Sequence, residues 1–182
     1  NLTSVINSLN LTINTNMLDE YNDSLLLKEI FLQKDTSTKD KLEQILIECI
    51  KKIKGVFNLL LYHQTSGYLY ACKDATGNRP LCLGKNTDGF CLASESVALG
   101  KYTYMRELEA GELVRIKSKL ETIYLEPKKL HKKNICLFEY IYLQKKDSIV
   151  KQYQNKKIQV EDLRIDFGEE LARQEYLKID KS

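Results

Sequence analysis

Between Val56 and Tyr124 the chain breaks into short apolar runs, VFNLLLY, GYLYACK, PLCLG, GFCLAS, MREL, ELVRIK and ETIYL, parted by turn residues. Runs this short read as strands, and the separators Gln64 to Gly67, Asp74 to Gly77 and Lys85 to Gly89 have the length and chemistry of hairpin turns. The spacing predicts an antiparallel meander. Several runs, VFNLLLY and YLYAC among them, do not alternate apolar with polar, so the sheet is expected to be covered on both faces. Helices on one side and a second sheet on the other would cover it.

Helical periodicity flanks this region. Leu42, Ile45, Leu46, Cys49, Ile50 and Ile53 recur at intervals of three and four, with Ser37 or Thr38 available as a cap and Gly55 as a stop. An earlier helix is expected over Leu25 to Leu32, after a loop at Asp19 to Ser24. Downstream, Leu125 to Asn134 reads as a loop containing Pro127, and Ile135 to Leu143 as a strand. Gln144 to Ser148 is a polar break resembling a domain edge. Val160, Leu163, Phe167 and Leu171 then predict a last helix whose packing partner lies outside the chain.

Composition narrows the class. In 182 residues, 43% are hydrophobic and 29% charged, with a net charge of +3, which suits a folded domain and excludes collagen-like, low-complexity and acidic-tail readings. The charge balance neither demands nor forbids a polyanionic ligand. No apolar stretch approaches the ~20 residues that span a bilayer and no secretory leader is seen, so a soluble protein is expected. The 5 cysteines are odd in number and form no CxxC, as in reduced, intracellular thiols. His63 and His131 are far apart, and no Cys or His pair has the spacing of a closed zinc site. GxGxxG, GxxxxGK[ST] and GxSxG are all absent. The first residue is Asn, not Met, which points to a processed product or a piece of a longer polypeptide.

Three segments carry candidate chemistry. In Lys73-Asp74-Ala75-Thr76-Gly77-Asn78-Arg79-Pro80-Leu81, Asp74 can accept from amides ahead of it and Gly77 can take a positive φ. This is either a well-specified hairpin turn or a platform from which Arg79 presents charge to a carboxylate or a neighbouring domain. In Ala93-Ser94-Glu95-Ser96, Ser94 is a candidate N-cap, with Glu95 near the positive end of a short helix through Leu99. Asp23 stands in a polar loop before an apolar helix, placed to cap it or to face a cleft.

In order, GVFNLLLY, KDATGNRPLCLG, LASESVAL, ELEAGELVRI, CLFEYIYLQKKDS and DFGEELARQE resemble the glutamine phosphoribosylpyrophosphate amidotransferases, also called amidophosphoribosyltransferases. The middle segments are shared with the glutaminase domains of asparagine synthetases. FEYIY followed by DS and a GEELA helix is the specific part.

The resemblance implies an α+β fold, a four-layer αββα sandwich of the N-terminal-nucleophile hydrolase type, incomplete here at its N-terminus. Residues 1–148 would be a glutaminase domain lacking its first part, and residues 149–182 a linker and the first helix of a phosphoribosyltransferase domain. Family members attack the glutamine amide with a terminal Cys, using an Asn-Gly pair as oxyanion hole, and pass ammonia to phosphoribosyl pyrophosphate to make phosphoribosylamine, the first step of purine synthesis. The opening NLTS matches the stretch after that Asn-Gly, which puts the nucleophile, the hole and the carboxylate-binding Arg upstream. No catalytic residue is then expected in the chain. Asn22-Asp23-Ser24 matches the family's serine-aspartate-serine, giving Asp23 the glutamine α-amine. Cys136 matches a cysteine that ligates an iron-sulfur cluster in some members; such a cluster needs four ligands, and a packed thiol is the plainer role for one cysteine. Magnesium is the other cofactor implied for the full-length family, with a homo-oligomeric, cytoplasmic assembly and no nucleic-acid or membrane partner. Two features depart from the pattern: Lys73 stands for the usual Arg, and Gln144-Lys145-Lys146-Asp147-Ser148 for the usual ARPDS. A non-enzymatic homologue acting as an interaction or regulatory module is the competing reading, and an asparagine-synthetase-type glutaminase domain is a third.

Overall fold

The computed structural model describes residues 6–7, 9–12, 23–127, 136–153 and 156–179. In chain order its elements are helices α1 (Asp23–Gln33) and α2 (Lys39–Lys52), then strands β1 (Asn58–His63), β2 (Tyr68–Lys73), β3 (Cys82–Asn86) and β4 (Gly89–Ala93). A 3-10 turn (Ser96–Leu99), β5 (Thr103–Glu107), β6 (Glu112–Ile116), β7 (Leu120–Leu125) and a π-helical turn (Glu139–Leu143) follow. The chain continues with β8 (Ile149–Tyr153), β9 (Lys156–Gln159) and helix α3 (Val160–Ile179). Two compact units divide these, one of Asn1–Gly77 with Glu109–Lys132, the other of Asn78–Leu108 with Lys133–Ser182.

The first unit is a four-stranded antiparallel sheet in the order β1-β2-β6-β7, faced by α2. Helix α2 starts where Thr38 accepts from the Lys41 amide at 3.4 Å, with Asp40 in its first turn and Lys51 and Lys52 in its last, as the helix dipole favours. Leu42, Leu46 and Ile50 from its apolar stripe bury against Tyr70, Cys72 and Leu113 of the sheet. Cys49, on the same helix, packs with Ile30 of α1 and with Ile6, Leu9 and Leu11. Gly55 does not end this helix. Ile53 does, by turning extended while its amide still bonds the Cys49 carbonyl at 3.0 Å, and its side chain stays against the apolar cluster.

The second unit holds a three-stranded sheet, β4-β3-β5, the β8-β9 hairpin and α3. The hairpins expected at Gln64 to Gly67 and Lys85 to Gly89 form, with Gly67 at φ 68 and Gly89 at φ 132. The third expected hairpin does not form: β2 pairs with β1 and β6, whereas β3 pairs with β4 and β5, so Asp74 to Gly77 leads from one sheet into another. The expected strand over Ile135 to Leu143 is also replaced. In its described part the Gln144 amide bonds the Glu139 carbonyl at 2.9 Å, closing a π turn. A β8-β9 hairpin stands where a plain linker was expected. The last helix is as predicted and its unpartnered face is visible: Val160 is buried, while Phe167 and Leu171 are exposed. Among the described residues, no helix is long and apolar enough to cross a membrane.

Candidate functional site

In the first unit, Asp74 organises the segment expected to be a hairpin. Its carboxylate, fully buried, accepts from the amides of Thr76 at 2.7 Å and Gly77 at 3.0 Å, from the Thr76 hydroxyl, and from the Phe57 amide at 3.2 Å. Its backbone bonds Phe57 and Gly111 in addition, so one residue ties together the start of β1, the end of β2 and the approach to β6. Gly77 has φ +66, and a Cβ there would lie 2.7 Å from the Cβ of Ala110. Those are structural duties, carried out by a carboxylate that is fully buried.

In the second unit, Arg79 does what the second reading of its segment allowed and presents its charge to a carboxylate. Its guanidinium pairs with Glu139, a side chain only 7% exposed. Burial, and then the carboxylates of Glu107 and Glu139, push the neighbouring Tyr140 phenol above its ordinary range. Arg164 of α3 donates to the carbonyls of Tyr140 and Gln144, both at 2.8 Å, which caps the same turn from the other side. The signal for this in sequence was a lone glutamate inside the apolar run FEYIY. A charge so placed is buried and needs a cation.

Glu95 corrects its expectation. No side-chain capping bond opens the 3-10 turn, and the turn is four residues long. The Glu95 carboxylate instead accepts from the Lys145 amide at 2.8 Å and the Ser148 hydroxyl at 2.7 Å. Ser96 accepts from the Ile149 amide at 2.7 Å. The motif LASESVAL thus fastens the segment QKKDS, a pairing that separation of about fifty residues hid from any local reading.

Asp23 opens α1, but its side chain lies outside the described residues, as do Asn22 and His131. Cys136 is half-buried and unbridged, and its carbonyl accepts from the Glu139 amide at 3.1 Å. Among the described residues no three His, Cys, Asp or Glu side chains gather as a metal site. One thiol of the four that a cluster needs does not make a cluster site. Burial pushes the thiols of Cys49 and Cys72 up to about 12, so neither is a nucleophile at neutral pH.

Residues 13–101 match a family model described as a glutamine amidotransferase domain. Over 137 residues the chain is 33% identical to an amidophosphoribosyltransferase of Mycobacterium tuberculosis, which covers 73% of this chain and 24% of that protein. Over 153 residues it is 31% identical to that of Pyrococcus horikoshii, covering 84% of this chain and 32% of the relative. The chain therefore spans about a quarter to a third of the length of these curated relatives. Among solved structures, the glutamine phosphoribosylpyrophosphate amidotransferase of B. subtilis, complexed with ADP and GMP, aligns with a TM-score of 0.59 at 27% identity, over 80% of this chain and 31% of that one. By sequence and fold alike, the chain belongs with the amidophosphoribosyltransferases, as part of their N-terminal-nucleophile glutamine amidotransferase domain.

Proposed function

We propose that the chain serves the glutamine side of an amidophosphoribosyltransferase, which takes ammonia from glutamine and joins it to phosphoribosyl pyrophosphate, giving 5-phosphoribosylamine for de novo purine synthesis. The observation that carries this reading is identity of 31% to 33% with enzymes of that name over most of the chain. On it, residues 1–148 belong to the glutaminase domain and 149–182 lead into the transferase domain. Exposed Phe138, Ile141 and Tyr142 on the π turn and Phe167 and Leu171 on α3 give that further domain an apolar surface to pack on. Homo-oligomeric assembly, magnesium and a cytoplasmic setting belong to the same proposal.

Within it, Asp23 holds the glutamine α-amine, and the 182 residues alone release no glutamate. The test is nitrogen-source dependence in the complete polypeptide that carries this chain, read as pyrophosphate released from phosphoribosyl pyrophosphate. Asp23→Ala is expected to raise the KM for glutamine by about 10-fold or more, as loss of a charged hydrogen bond does, and to leave the ammonia-dependent rate unchanged. Absence of activity with either nitrogen source would overturn the reading in favour of a non-enzymatic interaction module.

A further inference from the structure

By composition Gln144-Lys145-Lys146-Asp147-Ser148 is a flexible linker, yet its five consecutive carbonyls all accept hydrogen bonds. They accept from Arg164 at 2.8 Å, the Ser148 amide at 3.0 Å, the Glu161 amide at 2.9 Å, the Gln159 side chain at 3.0 Å and the Val160 amide at 2.9 Å. Several of its donors are bound as well. The Gln144 amide goes to Glu139, while the Lys145 amide and the Ser148 hydroxyl converge on the single carboxylate of Glu95. Ser148 is 1% and Gln144 8% exposed, although Lys145 and Lys146 extend their side chains into solvent. A segment meant to bend would leave such groups to water.

We infer that Glu95 is a positioning residue: with Ser96 it latches residues 144–149 to the end of β4, so that the π turn, the β8-β9 hairpin and α3 are carried as a strut and not on a hinge. The geometry assigns the central role to Glu95 because its carboxylate holds two donors three residues apart. Backbone bonds from Glu161 and Val160 fix the segment to the start of α3 only, and Arg164 fixes it to the same helix. The Ser96 bond to Ile149 and the Arg79–Glu139 pair are further ties between this region and the β4-β3-β5 part of the unit. A functional consequence rests on the amidophosphoribosyltransferase reading: a strut holds fixed the spacing over which ammonia is handed on. The latch itself does not depend on that reading.

Its test is limited trypsin digestion of the 182-residue chain under native conditions, with cleavage between Lys145 and Lys146 followed by mass spectrometry. Trypsin needs the backbone to open locally, so cleavage reports the opening equilibrium. Glu95→Ala is expected to speed this cut by about 10-fold or more, with Glu95→Gln in between, while cleavage after Lys51 and Lys117 in the other unit keeps its rate. Equal rates at Lys145 for the native chain and Glu95→Ala, with far-UV circular dichroism unchanged, would overturn the strut. If Glu95→Ala does not fold, Ser148→Ala removes one of the two latch donors and carries the same test, with several-fold acceleration expected and an unchanged rate counting against it. Both outcomes are independent of whether the complete protein uses glutamine.

Discussion

Both units bury apolar side chains, Leu83, Leu99, Leu108 and Val160 among them in the second, but one contact in each is made differently. In the first, an amphipathic helix lays Leu42, Leu46 and Ile50 on Tyr70, Cys72 and Leu113, and every one of these side chains is nearly or wholly buried. In the second, Glu95, Ser96 and the Arg79–Glu139 pair make polar ties between the C-terminal region and the β4-β3-β5 part, while Phe138, Ile141, Tyr142, Phe167 and Leu171 face outward. Apolar packing is non-directional and tolerates small shifts, whereas hydrogen bonds fix distance and angle. The first arrangement builds a core, and the second sets the position of an exposed surface.

The largest effect expected from this contrast is alkaline. Burial raises the Cys49 and Cys72 thiols from 9.0 to about 12, and burial followed by the Glu43 carboxylate raises the Tyr70 phenol from 10.0 to about 12. Groups whose folded pKa is raised stabilise the fold fully below their unfolded pKa and lose that contribution as pH rises towards the folded value. The first unit should therefore lose stability steadily from about pH 9 to about pH 12. Thermal melts across that range check this. A Cys49→Ala/Cys72→Ala chain, less stable at pH 8, should lose the early part of the decline, and an unchanged slope would separate the effect from these thiols.

Next in size is Leu46→Ala, which removes a fully buried side chain from the helix-sheet contact and should cost about 3 kcal/mol in denaturant unfolding. The smallest is its counterpart on the last helix. Leu171→Ala, at a position 62% exposed, should stay within about 0.5 kcal/mol. Equal costs for the two would mean that the face of α3 is already covered in the isolated chain.

Much of the first unit was legible. Helix α2 follows from its three-and-four spacing, Thr38 and its charged ends, because amphipathic periodicity is local information. The Gly67 and Gly89 turns follow because few residues other than glycine accept positive φ. The bonds that Asp74 accepts from the amides ahead of it are legible too, but the turn leads between sheets, since local turn chemistry does not say which strand a strand will pair with. The site was less legible. Asp23 is legible as a cap or a cleft residue, but its glutamine role, like any role of Cys136 in a cluster, comes from resemblance alone. For Arg79 the sequence offers a carboxylate or a neighbouring domain as partner, without naming which carboxylate.

What the sequence determined alone was the set of helices, most of the strands and the family, each resting on periodicity, turn chemistry or ordered motifs. The tertiary structure decided that the strands divide into two larger sheets, that FEYIYL coils into a π turn and that Glu95 meets Ser148. The reason is range. A glutamate can cap its own turn or cross to a distant amide at similar enthalpy, and only the folded chain brings the second option within 2.8 Å.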